Sequence, residues 1–306
     1  MPADSPFSQD LLLVWEEYRR AAKRSRQLKQ KVNAYRISGL LLVVTGAILG
    51  VLASQLDTLE QLSKIFAVAS AILLGVAAFL SGHVLDSQYE KQWVVARSQA
   101  EALKSQAYIY LVQSSPYNGP DRDEKLSSKM QEILGEFFVE PVSLTEKEKT
   151  EKLPDNWLSM DDYLERRVND QIRKYYEPKA IEYQQKLKLL KSLSFGLGLS
   201  GAVLGGISAA DIDWSSAWVA VIGTISGAVA AFTFAGRYRY LMTSYTLTAR
   251  RLKWTHNAWQ RLSDSEKSQK LGTFVHKFED VFSIENNSWV AEWTNKEDER
   301  TTERQP

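Results

Sequence analysis

The chain has 306 residues, with 38 Lys and Arg against 37 Asp and Glu, and a net charge of +1. It contains no cysteine, which excludes disulfides, thiolate catalysis and cysteine-ligated zinc or haem sites. The mean hydropathy of −0.30 conceals a strong segregation, because the apolar residues are concentrated in four windows.

Four runs without Asp, Glu, Lys or Arg interrupt the charged sequence, and each is long enough as a helix to cross a bilayer core of about 30 Å. Connections of eight and three residues join them into two hairpins. Four buried core helices of a soluble protein are the alternative, but core helices usually keep a polar stripe. The runs are Ile37–Leu56, Ile65–Leu85, Ser192–Ala210 and Trp214–Gly236.

Basic residues lie almost entirely on one side of these runs. Within about twenty residues of the spans, 22 Lys and Arg lie outside the hairpin connections, which hold Lys64 alone. The positive-inside rule therefore predicts a multi-pass plasma-membrane protein with both termini cytoplasmic.

Apolar and small residues at 3,4 spacing continue the helices beyond the spans. One seam runs from Leu11 to Tyr35, a second from Tyr89 to Tyr110 and a third from Tyr238 to Leu262. Such seams are typical of coiled-coil-like packing. We predict an all-α membrane protein with two transmembrane helical hairpins, each on a long cytoplasmic two-helix stalk.

Proline and glycine divide the chain between the hairpins. Ser115-Pro116 and Asn118-Gly119-Pro120 end the long helix, and a short helix is predicted over Glu124–Phe138. The alternating charges of Thr145–Lys152 indicate a solvated linker. The predicted units are a two-transmembrane unit at 1–113, a linker with a short helix at 114–160, a second two-transmembrane unit at 161–293 and a disordered tail at 294–306.

Small residues recur at four-residue spacing in all four spans. Such faces let helix backbones approach closely in lipid, within a hairpin or between copies. The run Gly196–Gly201 fits G-x-G-x-x-G, but no strand precedes it, so we reject a dinucleotide site. The helix-packing candidates are Gly46, Gly50, Gly75, Gly201, Gly205, Gly223 and Gly227.

No chemical centre can be assembled from the residues. The three histidines are far apart, and local spacing builds no nucleophile elbow or paired-carboxylate cleft, so we expect no enzyme, metal or cofactor. The spans contain no Asp, Glu, Lys or Arg, which argues against pumps and charge-coupled transporters. The basic stretch Arg19–Arg36 directly precedes a span, which favours anionic lipid heads over nucleic acid as its partner.

If several copies surround a pore, the second hairpin is the better wall, because it is richer in Gly and Ser. Asp211 and Asp213 at its tip would then form an acidic ring at the outer mouth and favour cations. Alternatively, both aspartates only solvate a tight turn. The pore-lining candidates are Ser200, Ser208, Thr224 and Ser226.

Two stretches resemble the SLATT family, two-transmembrane domains of bacteria. After the second span, the segment from Trp93 to Lys104 is similar to the family's W-x3-R-x3-E-x-L-K motif. The second half resembles the family's leading helix and its closing E-x3-W helix, so the likeness covers nearly the whole chain as two tandem copies. Leu247 to Arg251 replaces the Trp and Arg in the second copy. The family-motif residues are Trp93, Arg97, Glu101, Arg167, Gln171, Tyr175, Glu285 and Trp289.

The resemblance implies an effector of the bacterial inner membrane in a defence or conflict system, triggered by a cytoplasmic sensor or nucleotide messenger. We expect an oligomeric pore that conducts ions or permeabilises the membrane, with the bilayer and further copies as partners. The alternative is a non-conducting scaffold or signalling protein that docks cytoplasmic partners through its stalk. Arg97 and Glu101 are four residues apart on one helix and can pair, and Trp93 lies on the seam and is expected to pack.

Overall fold

A computed structural model of the protein describes residues 6–56, 59–83, 88–135, 140–210 and 213–294. Within these ranges the chain is helical and has no strand, and four helices are long and apolar enough to cross a membrane. The predicted all-α membrane protein is confirmed. The α-helices are α1 (Gln9–Gln55), α2 (Glu60–His83), α3 (Gln88–Leu111), α4 (Arg122–Gly135), α5 (Glu146–Lys149), α6 (Met160–Tyr163), α7 (Glu177–Ser208), α8 (Asp213–Gly236), α9 (Tyr238–Gln260) and α10 (Asp264–Thr294).

The spans continue into charged helical segments. α1 joins the first seam to the first span in 47 residues without a proline. Between α6 and α7 the chain forms two π-helical segments, Leu164–Asn169 and Ile172–Tyr176. Pro178 follows the second π-helical segment directly, within a helical stretch that runs from Met160 to Ser208, so it interrupts the backbone hydrogen bonds inside a helix and not at its start.

The connection between the halves is more ordered than its charge pattern indicated. The predicted short helix is α4, which is described as far as Gly135, and residues 136–139 of the prediction lie outside the described ranges. Within the run predicted to be a solvated linker, α5 forms, and α6 follows it. Each is N-capped by a capping box, Thr145 with Glu148 and Ser159 with Asp162, which satisfies otherwise unpaired N–H groups.

The chain divides into two compact units, and both halves of the sequence contribute to each. The membrane unit comprises residues 30–90 and 181–242, and the extramembrane unit comprises residues 1–29, 91–180 and 243–306. The sequence predicted one separate stalk per hairpin. Instead, the helices outside the spans share one unit, because α10 of the second half packs against α3 of the first. Residues 295–306 of the predicted tail lie outside the described ranges.

The predicted seams face the interior of these units. Their burial follows the 3,4 spacing, as expected for helices whose apolar stripe packs against neighbours. The buried seam residues include Leu11, Val14, Leu28 and Val32 on α1, Trp93, Ala96, Leu103 and Tyr110 on α3, and Tyr245, Leu252 and Trp259 on α9.

Candidate functional site: two membrane hairpins and a buried motif cluster

The first hairpin is held by close contact between α1 and α2. The Ser70 hydroxyl donates a hydrogen bond to the carbonyl of Gly46 at 2.7 Å. A Cβ atom at Gly46 would lie 2.9 Å from Cγ of Leu74, and one at Gly50 would lie 3.0 Å from Oγ of Ser70. Two of the predicted packing glycines thus lie where the helices touch, whereas Gly75 has open space in the Cβ position.

The second hairpin uses fewer of its small residues internally. A Cβ at Gly201 would lie 3.3 Å from Cγ2 of Ile222. Nothing lies within 4 Å of the Cβ position at the other predicted packing glycines of this hairpin, Gly205, Gly223 and Gly227. At these three glycines, the Cβ position is therefore open within the described part of the chain.

The pore-lining candidates differ in exposure. Ser200 and Thr224 are exposed, and Ser208 and Ser226 are half-buried. The Thr224 hydroxyl donates to the carbonyl of Ala220 at 3.0 Å, as threonine commonly does inside a helix. Asp211 lies outside the described residues, and Asp213 begins α8 with its side chain outside them.

The two hairpins contact each other through α1 and α8. Ala47 and Val51 of α1 form a buried cluster with Val221 of α8. In the apolar stretch of α7, by contrast, no residue is buried within the described part of the chain. The single chain therefore leaves most of the α7 surface uncovered.

In the extramembrane unit, motif residues from both halves of the sequence meet. Nη2 of Arg97 donates to both carboxylate oxygens of Glu285, at 2.8 and 3.2 Å. The Arg97 guanidinium lies 4.3 Å from the ring centroid of Trp289, and the Trp93 ring contacts Trp289 edge-on at 5.0 Å. The predicted partner Glu101 is thus replaced by a carboxylate 188 positions away, which reaches Arg97 because α10 packs on α3.

A second buried ion pair lies beside the first. Arg167 is fully buried and donates from Nε and Nη2 to the two oxygens of Glu279, at 3.0 and 2.8 Å. The Tyr163 hydroxyl donates to the same carboxylate at 2.7 Å. Nη1 of Arg167 lies 3.7 Å from Glu101, which places the acidic motif residue of the first half beside the arginine of the second half. We call Arg97, Glu101, Arg167, Glu279 and Glu285 the motif cluster.

The surroundings keep the arginines of the motif cluster charged. Burial lowers the pKa of Arg97, but Glu285 together with Tyr245, Tyr175 and Glu101 outweighs burial, and the net pKa lies well above the ordinary arginine value. The same opposition, with Glu279 as the carboxylate, raises the pKa of Arg167. Burial also raises the pKa of Glu101, yet Lys104 and the two arginines turn the net shift downward.

Two further motif residues have simpler surroundings. Tyr175 is half-buried, and its hydroxyl lies 3.3 Å from that of Tyr245 on α9. Gln171 is half-buried between the two π-helical segments.

The sequence did not single out Glu279 or Tyr163. Glu279 follows Phe278 on the face of α10 that carries Phe282, Glu285 and Trp289, and all of these side chains are buried. The sequence signal for Glu279 was an acidic residue beside the apolar stripe of α10. A carboxylate buried at such a position requires a partner.

The basic stretch before the first span is largely neutralised inside the protein. Arg19 pairs with Glu151, Lys23 with Glu148 at 2.8 Å, Arg24 with Glu140 and Arg36 with Glu90 at 2.6 Å. We call residues 140–151 the acidic strap, because its carboxylates follow one face of α1. These basic side chains are therefore engaged within the chain, and not solely with lipid heads as their position had indicated. In the described part of the chain, no cluster of His, Cys, Asp or Glu is arranged to hold a metal ion.

Comparison with known families gives two matches. Residues 163–289 match the model of SMODS and SLOG-associating 2TM effector domain 1, SLATT_1. Over these residues, the chain is similar to the SLATT family. Residues 15–125 match DUF4231, described as a protein of unknown function. No curated protein and no solved structure shows significant similarity to the chain.

The SLATT match contains Arg167, Gln171, Tyr175, Glu285 and Trp289, and thus all the motif residues predicted in the second half. The match to the first half contains Trp93, Arg97 and Glu101. Each match encloses one hairpin, and the two matches are to different models, so a tandem duplication stays a prediction.

Proposed function

We propose that this protein is a SLATT-type membrane effector of a bacterial conflict system and that it acts as a homo-oligomeric pore for ions or small solutes. The observation that carries the proposal is the second hairpin, where a Cβ atom added at Gly205, Gly223 or Gly227 would have no neighbour within 4 Å in the described part of the chain. In lipid, small faces are where helices associate, so these faces are available to neighbouring copies.

The proposal requires several copies, because the described part of one chain supplies four spans. Hydroxyl side chains and backbone groups are then available to line a pore, since the spans contain no Asp, Glu, Lys or Arg. Selectivity would rest on Ser200 and Thr224 and on a ring of Asp211 and Asp213 at the hairpin tip. The proposed location is the inner membrane with both termini cytoplasmic, and the proposed trigger is a cytoplasmic sensor or nucleotide messenger. No catalytic step is part of this proposal.

The test is reconstitution in liposomes with an ion-flux readout, combined with mass measurement in detergent and lipid. We expect flux from an oligomer, which Gly227→Leu reduces by disturbing contacts between copies. Val203→Leu is the control, because Val203 is exposed and lies two positions away from both Gly201 and Gly205, off their small-residue face. Asp211→Asn with Asp213→Asn should lower cation preference without changing the amount of oligomer. A monomer without flux over a range of protein-to-lipid ratios would contradict the proposal.

A non-conducting scaffold is the second candidate, and one observation favours it. On α9, Leu247 and Trp254 are 41% and 62% exposed in the extramembrane unit, although their neighbours Tyr245 and Leu252 are buried. Exposed apolar residues of this size suit a docking surface for another protein. Absence of flux from an intact oligomer would favour this function.

A further inference from the structure

The fourth span ends next to Arg237, a residue with an uncommon backbone conformation. α8 ends at Gly236, α9 begins at Tyr238, and Arg237 between them has a φ angle of 47°. The Arg237 N–H donates to the carbonyl of Phe234 at 3.2 Å, and the Arg237 carbonyl accepts from Leu241 at 3.0 Å. α8 therefore ends and α9 begins within one residue. That residue, Arg237, has the left-handed conformation in which many helices end.

The glycine of this junction is not at the left-handed position. Helices that end this way usually place glycine at the residue with positive φ, because it has no Cβ to clash. Here arginine occupies that position, and no described glycine has a positive φ. A Cβ atom at Gly236 would overlap Cε2 and Cζ of Tyr238 and lie 2.9 Å from its hydroxyl oxygen. A side chain at position 236 would therefore require the tyrosine ring to move from its place.

The conformation of this junction depends on two opposing contributions to the free energy, one from the Arg237 backbone and one from the Tyr238 ring. The left-handed conformation is unfavourable for Arg237, and a continuous helix through 236–238 would remove that cost. The Tyr238 ring favours the break, because it packs over Gly236 and lies 6.0 Å from the Tyr183 ring and 6.1 Å from the Phe232 ring. All these residues belong to the membrane unit, whose last residue is Met242.

We propose that Gly236–Tyr238 is a two-state joint in the fourth span, with a broken form held by the Tyr238 ring and a continuous form in which α8 and α9 are one helix. The joint lets the direction of α8 change relative to the helix that follows it. This inference stands whether or not the protein conducts, because it concerns distances within one chain.

Double electron–electron resonance between spin labels attached at Ala231→Cys and Asn257→Cys tests whether the joint has two states. Both positions are exposed, and the native chain contains no cysteine. A continuous helix would separate the two Cα atoms by about 39 Å, whereas a broken helix brings them closer. Arg237→Gly should shift the population toward the shorter distance by about five- to thirty-fold, because glycine adopts positive φ freely and disfavours a continuous helix.

Gly236→Ala should shift the population toward the 39 Å limit, since the added Cβ displaces the Tyr238 ring. The matched control is Gly223→Ala on the same helix, where nothing lies within 4 Å of the added atom and no shift is expected. Tyr238→Ala, which removes the ring without adding an atom, should act in the same direction as Gly236→Ala. One unchanged distance distribution in Arg237→Gly, Gly236→Ala and Tyr238→Ala would show a fixed bend and overturn the proposal.

Discussion

At the scale of single residues, the motif arginines act through buried carboxylates distant in sequence. Arg97 meets Glu285, and Arg167 meets Glu279, in surroundings that exclude most solvent. Removing both partners of a buried ion pair is often tolerated, but removing one leaves an uncompensated charge. The motif therefore specifies which helices pack together more than it contributes net stability.

Arg97→Met should lower the free energy of unfolding of the extramembrane unit by about 3–5 kcal/mol, because Glu285 stays buried without its partner. The double variant Arg97→Met, Glu285→Met should be less destabilised than Arg97→Met alone. Thermal or denaturant unfolding in mild detergent measures both. Arg173→Met is the control, since Arg173 pairs with Glu165 on the surface, and we expect a change of about 0–1 kcal/mol. Strictly additive effects of the two single changes would contradict this account.

The acidic strap gives a pH-dependent prediction. The hydrogen bond from Lys23 and those from the Thr145 backbone and hydroxyl lower the pKa of Glu148 from the ordinary 4.5 to about 2. A carboxyl with a lowered pKa in the folded state stabilises the fold above its unfolded pKa, and this contribution is lost as the pH falls. Glu148→Gln should therefore lower Tm at neutral pH, and the difference from the native protein should shrink between about pH 4.5 and pH 2.

Glu146→Gln is the matched control for the strap. Glu146 is exposed on the same short helix and pairs only with its neighbour Lys149 among the described contacts. Its effect on Tm should be small, because exposed pairs contribute little. Equal Tm changes in Glu148→Gln and Glu146→Gln would show that the ion pair between Lys23 and Glu148 is not the cause.

At the scale of the helices, the two hairpins use their small residues differently. The first hairpin places Gly46 and Gly50 where α1 and α2 touch, while three glycines of the second hairpin have open space around them. Sequence spacing revealed small faces in every span, but it could not distinguish a face covered within the chain from one left free. That distinction depends on the rotation of each helix against its neighbour.

Gly46→Val should destabilise the first hairpin by about 1–3 kcal/mol, because its side chain would overlap Leu74 and disturb the hydrogen bond from Ser70. Gly75→Val makes the same chemical change in open space, and we expect it to be nearly neutral. Unfolding of the purified protein in micelles by a denaturing detergent measures the difference. A similar loss in both variants would show that helix propensity, and not close contact, is responsible.

At the scale of the whole molecule, both units are assembled from both halves of the sequence. A hairpin and its flanking helices are therefore not an independent block along the chain. The predicted boundaries at 113 and 160 describe the order of segments in the sequence, and they stay predictions about evolutionary units. The arrangement also means that the two matched domains share α10 as a packing partner.

The orientation of the membrane unit is tested by single-cysteine labelling in intact cells. Gln61→Cys and Ser216→Cys lie near the hairpin tips and are exposed, whereas the neighbouring Ser215 is fully buried and unsuitable. Because the basic residues flank the opposite ends of the spans, both positions should react with an impermeant reagent from outside. Asn118→Cys should react only after the cells are opened. Labelling of Asn118→Cys in intact cells would reverse the orientation.

The sequence by itself determined the class of this protein and the path of its helices. Charge-free runs of about twenty residues specify spans, because a bilayer core excludes charge and sets a length. The 3,4 spacing specifies the buried stripe of each helix, because side-chain direction repeats along a helix regardless of its partner. The same spacing placed Trp93 on a packed face, and Trp93 is buried.

Only the tertiary structure decided which stripes meet. Arg97 had a carboxylate four residues away, yet it binds Glu285, because packing of α10 on α3 supplies a more buried partner. The positive φ of Arg237 has no signal in a sequence that places glycine one residue earlier, and only the structure shows the Tyr238 ring where a Cβ of residue 236 would lie. Periodicity is a local property of the chain, whereas pairing depends on the shape and charge of surfaces brought together from distant segments.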